Sequence, residues 1–138
     1  MRGIKYISLL AFSIVSLNVL AQCDTVSTLC NKHLPASYIS DGQNYTALLL
    51  GEEVAEFHTT FFGGTTYRLA ACSGLSDGNL IFRLFDQERN LLFSNEEYRN
   101  APYWDFATKS TIDCIIETQL DPTTAPSGCS VLLIGFQQ

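Results

Sequence analysis

Between residues 54 and 61 apolar and polar side chains alternate one for one. Ala55, Phe57, Thr59 and Phe61 fall on one face of an extended chain, and Glu56, His58 and Thr60 on the other. A helix cannot sort these residues, because its period of about 3.6 would scatter both sets around the axis. The same period of two returns downstream. Tyr67, Leu69 and Ala71 oppose Arg68, Ala70 and Cys72, and Ile112, Cys114, Ile116 and Thr118 oppose Asp113, Ile115, Glu117 and Gln119. Segments near 44–50, 54–61, 66–72, 79–85, 91–94, 103–107, 111–120 and 128–136 are rich in aromatic, branched and threonine side chains. Turn chemistry separates them at Gly63-Gly64, from Asp86 to Asn90, and from Asp121 to Gly128. The pattern predicts an all-β domain over 44–138: an antiparallel β-sandwich or jelly roll of about eight strands with half-buried faces.

Ahead of that domain the pattern is helical. Asp24 is placed to cap a helix on which Val26, Leu29, Cys30, His33 and Leu34 recur at helical spacing, and Pro35 stops it. One short N-terminal helix and its lead-in therefore occupy 22–43. Further upstream, Arg2 and Lys5 precede an apolar run from Tyr6 to Val15, and Val19-Leu20-Ala21 precedes Gln22. That order is the charged region, apolar region and small-residue cleavage site of a secretory signal. Residues 1–21 are expected to be removed, leaving Gln22 as the mature N-terminus and a secreted or periplasmic protein. An outer-membrane lipoprotein anchored through Cys23 is the lesser alternative, because that processing needs a small residue where Gln22 stands. No later apolar run is long enough to span a membrane, which takes about 20 residues.

Without Arg2 and Lys5, six basic residues face fourteen acidic ones, a formal charge of −8. Such a field repels polyanions, so nucleic acid is not an expected partner.

Five cysteines, Cys23, Cys30, Cys72, Cys114 and Cys129, enter an oxidising compartment, so at most two disulfides form within one chain. Cys23 and Cys30 on one helix would stand about 10 Å apart, beyond disulfide reach. Cys114 and Cys129 flank a turn centred near Thr123 and Thr124, and in a hairpin of that register Cys114 would face a residue near Leu133. A bridge from helix to sandwich is preferred. The fifth cysteine is read as a buried inert thiol, with a nucleophile as the alternative.

Few residues suggest catalysis. His33 and His58 lack metal-ligand spacing, and although Glu56 and His58 share a strand face, a solvated polar face explains them. No nucleophile elbow, zinc-helix motif or phosphate loop occurs, so no catalytic residue is assigned and no metal site is expected. In Pro102-Tyr103-Trp104-Asp105-Phe106, alternation sends Trp104 and Phe106 to the core. Tyr103, with Tyr98 before it, remains as a surface candidate for holding a ligand.

The stretch from Phe57 to Phe136 carries Phe61-Phe62-Gly63-Gly64-Thr65-Thr66-Tyr67-Arg68, Asn79-Leu80-Ile81-Phe82-Arg83-Leu84-Phe85-Asp86 and Asn90-Leu91-Leu92. In these motifs it resembles the bacterial pre-peptidase C-terminal domain family, small extracellular β-sandwich modules. The chain is also similar to small exported proteins of the Bacteroidetes. The resemblance implies a binding module, here standing without a peptidase. Asn79-Leu80-Ile81 replaces the paired aspartates that some of those modules offer to calcium, so no cofactor is expected by that route.

Strand alternation places the connections 51–53, 73–78, 95–102 and 121–127 at one end of the sandwich. They hold Glu52, Glu53, Asp77, Glu96, Glu97 and Asp121 against Arg99 alone, a candidate surface for a basic partner or a cation such as calcium. The expectation is an exported, non-catalytic binding or structural module for an extracellular or envelope protein or glycan. The alternatives are a small hydrolase, or an inhibitor or periplasmic accessory subunit.

Overall fold

The computed structural model describes residues 22–137, so the signal segment expected over 1–21 lies outside them. Residues 22–30 form a helix, α1, continued by a 3-10 turn at Asn31–His33. Nine strands follow among the described residues: β1 (Tyr38–Ser40), β2 (Tyr45–Leu50), β3 (Val54–Phe61), β4 (Thr66–Cys72), β5 (Leu80–Asp86), β6 (Leu91–Ser94), β7 (Tyr103–Ala107), β8 (Ile112–Leu120) and β9 (Ser127–Gln137). One sheet runs β1-β9-β4-β7 with β2 also on β9, and the other runs β3-β8-β5-β6. No helix among the described residues is long and apolar enough to cross a membrane.

The antiparallel pairs β2·β9, β3·β8, β4·β7 and β5·β6 nest inside one another. The chain is thus one long hairpin closed at the β5–β6 turn and rolled into two facing sheets, which is a jelly roll. Phe61, Phe82, Ile116 and Leu132 fill the space between the sheets. There the hydroxyls of Thr118 and Ser130 satisfy each other at 2.8 Å, so the buried polar pair carries no desolvation penalty of an unpaired group.

Three expectations need correction. Asp24 lies inside α1 and does not cap it. The short strand β1 comes from the lead-in, where three residues are too few to display alternation. It forms because the end of β9 is free to pair with it, Ile39 opposite Phe136 and Ser40 opposite Gly135. Third, β8 and β9 belong to different sheets, so residues 121–126 cross the sandwich and do not close a hairpin. The register argument for Cys114 and Cys129 therefore does not apply. Those two cysteines stay apart because Cys114 faces the inter-sheet core and Cys129 faces the opposite side of its own sheet.

β4 is also buried on both faces. Its outward Ala70 and Cys72 lie with Val131 and Cys129 of β9 under Val26 and Cys30 of α1, a second small core. Two disulfides fasten that lid, Cys23–Cys129 and Cys30–Cys72. The expected helix-to-sandwich bridge is thus present twice. A nine-residue helix is too short to persist alone, so its stability comes from this packing and cross-linking.

Cys114 is the free cysteine among the described residues, and it is buried. Burial, with the nearby charges of Asp113 and Asp86, pushes its thiol up to about 11, leaving no thiolate at neutral pH. Alkylation of the oxidised protein should therefore label one cysteine per chain after denaturation and essentially none in the native state. Mass spectrometry checks both numbers, and a second label would mean that one of the bridges is absent.

Candidate functional site

The connections 51–53, 73–78, 95–102 and 121–127 meet at one end of the roll because hydrogen bonds tie them together. Gly51 N–H donates to Pro126 O at 2.7 Å and Asp121 N–H to Asn79 O at 2.9 Å. Asn100 Nδ2 donates to Gly78 O at 3.1 Å and to Asp121 Oδ2 at 2.6 Å. Asn79 Nδ2 holds its own loop by donating to Ser73 O and Ser76 O. Asn95, fully buried, accepts from Phe82 N–H at 2.8 Å and donates to Leu80 O and Ala101 O. These contacts also hold Arg99 and Asn100 in the left-handed region, at φ of 56° and 54°. Non-glycine residues persist there only when their surroundings over-determine them.

The acidic residues do not converge on a point. Asp77 binds His33 Nε2 at 3.0 Å and Lys32 Nζ at 3.4 Å. Burial raises its carboxyl, but these two partners outweigh burial and hold it below the ordinary value. Glu96 pairs with Arg83 at 2.9 Å. Asp121 bonds Thr123 and Asn100, and the Thr123 contacts hold its carboxyl low. Glu53 accepts from Leu50 N–H within its own turn, while Glu52 and Glu97 stand exposed on the rim. This arrangement is a charged rim and not a cation cage. Among the described residues His33, Cys72 and Asp77 cluster as a metal triad would, but the Cys72 sulfur is bonded to Cys30, leaving two donors.

At the same end a groove of about 660 Å³ opens between α1, at Thr25 and Val26, and the loops carrying Ser73, Leu75, Asn79 and Gly128. Leu75, 79% exposed, lies in its lining, and Leu50 at 57% and Val54 at 48% are exposed at the two ends of the 51–53 turn.

Tyr98 and Tyr103 make no common platform. Tyr98 tilts over Trp104 at 4.5 Å and stacks on Phe93 at 5.7 Å, on the inter-sheet side. Tyr103 points the other way, where the Arg68 guanidinium lies between its ring, at 4.2 Å, and that of Tyr38, at 4.6 Å. Arg68 also forks onto Asp105 at 2.7 and 2.9 Å. Gly135 permits this stack, because a Cβ there would come within 2.8 Å of Leu34 Cδ2 and 3.3 Å of Tyr38 Cβ. His58 sits beside Glu56, which also pairs with Arg89, and that network is exposed.

The asparagines that organise the loop end, Asn79, Asn95 and Asn100, went unrecognised in the sequence. Asparagine in a loop is ordinary, and nothing local distinguishes a buried tie from a solvated turn.

No protein-family model matches the chain, and no curated protein matches it. Solved structures do. Aeromonas hydrophila PliG, a periplasmic lysozyme inhibitor of g-type lysozyme, is similar with a TM-score of 0.53 and 13% identity over 69% of this chain and 85% of that one. A de novo designed double-stranded β-helix aligns with a TM-score of 0.36 and 10% identity, over 69% of this chain and 99% of that one. The Streptococcus agalactiae Gap123 complex aligns at 0.39 and 8%, over 72% and 39%. At such identities the first likeness establishes the fold, a jelly-roll β-sandwich, and the other two carry no argument.

Asn95→Ala would strip partners from one N–H and two carbonyls in or near the core. It should cost at least about 2 kcal/mol in chemical denaturation, given about 1–3 kcal/mol per orphaned buried group. A pH effect is also expected. The hydrogen bond and charge of Arg68 hold the Asp105 carboxyl below its unfolded value. Its stabilisation is complete above the unfolded value, about 3.9, and is lost as pH falls through the folded one. Asp105→Asn should therefore lose less stability than the parent between pH 6 and pH 2, read from denaturant midpoints.

Proposed function

We propose that the chain is an exported, non-catalytic binding module that engages a basic protein partner through its loop end, in the manner of an inhibitor or accessory subunit. One observation carries this reading. The four loops are cross-tied into a fixed surface on which Leu75 stands exposed, as do Leu50 and Val54 on either side of the turn that carries Glu52 and Glu53 and Glu97 in the 95–102 connection. Apolar anchors within a polar rim suit protein recognition, and prior fixing of the loops lowers the entropy cost of binding. The disulfides are compatible with action outside the cytoplasm. The PliG likeness adds a precedent for this fold acting on an enzyme, and inhibition of a lysozyme is the specific form to try first. A hydrolase has less support: each histidine is bound to a surface carboxylate and the free thiol is protonated.

The test expresses the full chain with export and measures the exported protein against purified lysozymes of the g type and of other types. Binding or inhibition should be saturable and weaken as salt rises. Leu75→Ser should weaken it at least tenfold, and joint replacement of Glu52, Glu53 and Glu97 by glutamine should slow association. An unchanged affinity in both variants removes the loop end as the site. Loss of all lysozyme binding, with the loop variants still altering capture of another purified basic protein, would keep the surface and change the partner.

A further inference from the structure

Of the two bridges, Cys30–Cys72 lies among further metal-binding side chains. The Cys72 sulfur, an imidazole nitrogen of His33 and a carboxylate oxygen of Asp77 all lie within 4.8 Å of one another, and the Cys30 sulfur is one bond beyond, on Cys72. While the bridge is closed the two sulfurs are spent on each other. Opened, they complete a set of four donors: two thiolates, an imidazole and a carboxylate.

The spacing along the chain suits that set. Cys30 and His33 are three residues apart where α1 passes into its 3-10 turn, and Asp77 follows Cys72 by five in the loop after β4. Two closely spaced pairs from separate segments are the usual build of a structural zinc site, and mixed sulfur, nitrogen and oxygen ligands suit zinc. With bonds of about 2.3 Å to sulfur and about 2.0–2.2 Å to nitrogen or oxygen, tetrahedral donors stand about 3.3–3.8 Å apart. The present cluster reaches that spacing by side-chain rotation. A hollow of about 10 Å³ lined by Cys30, Cys72, Ser76 and Asp77 has room for a single atom-sized occupant and for no organic ligand. His33 is held without recourse to its ring nitrogens, by the Tyr103 ring at 5.5 Å and by Arg68 Nη1 donating to its carbonyl at 3.1 Å. Lys32 meets Asp77 at Oδ2, which leaves Oδ1, the oxygen facing His33, for an ion.

We infer that Cys30, His33, Cys72 and Asp77 bind one zinc ion in the dithiol state of the chain, so that zinc replaces the disulfide as the clamp of α1 on β4. The exchange balances with a dithiol as reductant. The reductant passes two electrons to the Cys30–Cys72 bond and leaves as its own disulfide; the protein S–S bond breaks, two zinc–sulfur bonds form, and the two protons lost by the reductant go to solvent. A newly made chain begins in the dithiol state and needs no reductant. Its two thiols give their protons to solvent as zinc binds. The site is independent of what the loop end recognises, although Asp77 shares its loop with Leu75.

In the test, the full chain is purified oxidised, reduced with a dithiol, freed of it under argon and titrated with Co²⁺ as a spectroscopic substitute for zinc. The reduced protein should bind one equivalent, with thiolate-to-cobalt charge-transfer bands and the intense visible bands of a tetrahedral ion, and zinc should displace it. The oxidised protein should show neither band. Zinc should raise the thermal midpoint of the reduced protein alone and should protect Cys30 and Cys72 from alkylation, mapped by peptide mass spectrometry. Affinity should fall with pH, because the thiols must lose protons to bind. His33→Ala and Asp77→Asn leave the disulfide intact, so each has an oxidised form in which folding is checked. After reduction each should bind Co²⁺ at least about tenfold more weakly, since even outer-shell partners are worth about 10–100-fold. Absence of the cobalt bands from the reduced protein, unprotected Cys30 and Cys72, or unchanged affinity in both variants would each overturn the assignment.

Discussion

The structure is organised around β9. This strand of eleven residues pairs along one edge with β2 and then β1, and along the other with β4, so it is flanked on both edges at Val131, Leu132, Gly135 and Phe136. Its inner face supplies Leu132 and Ile134 to the main core, and its outer face supplies Cys129 and Val131 to the small core beneath α1. A strand covered on both faces and paired on both edges cannot slip register, because a shift by one residue would exchange the two cores. The Cys23–Cys129 bridge removes what freedom remains by fixing the helix to that strand.

The nested pairing has a kinetic consequence. Apart from the β5–β6 hairpin, the strand pairs join residues distant in sequence, as in Val54 with Gln119 or Tyr45 with Leu132. Loop-closure entropy must be met before such contacts stabilise anything, so this topology belongs with the slow folders. The bridge from Cys30 to Cys72 spans 42 residues and that from Cys23 to Cys129 spans 106. Both cross-links reduce the entropy of the unfolded chain, most where closure is longest.

Strand positions were legible because alternation and turn residues are local signals. β3 and β7 occupy the ranges that the pattern predicts, Val54–Phe61 and Tyr103–Ala107. Sheet membership is not local. Nothing in Asp121 to Pro126 states whether the chain turns back or crosses to the facing sheet, and the distinction decides which residues oppose Cys114. The helix cysteines were readable by elimination, since the rise of one helix separates Cys23 from Cys30, but their individual partners depend on how α1 lies across β4 and β9. Burial of Ala70 and Cys72 was hidden for the same reason, because a strand's outer face reveals only polarity and not the lid above it.

The loop end and the side gap between β6 and β7 arise from two different constraints on a rolled sheet. Where chain crossings gather, their backbones must be satisfied, and Asn79, Asn95 and Asn100 do this by bonding one loop to the next. The surface that results is stiff, and its side chains are free to be chosen for recognition. Where the roll ends in two unpaired edges, the constraint is different. The facing strands β6 and β7 have no neighbour to hold them together, so their contact depends on rings that meet across the gap, Phe93 on Trp104 and Tyr98 beside them. An aromatic seam of this kind closes a cavity without hydrogen bonds across it, and rings can shift by rotation without breaking a strand pair.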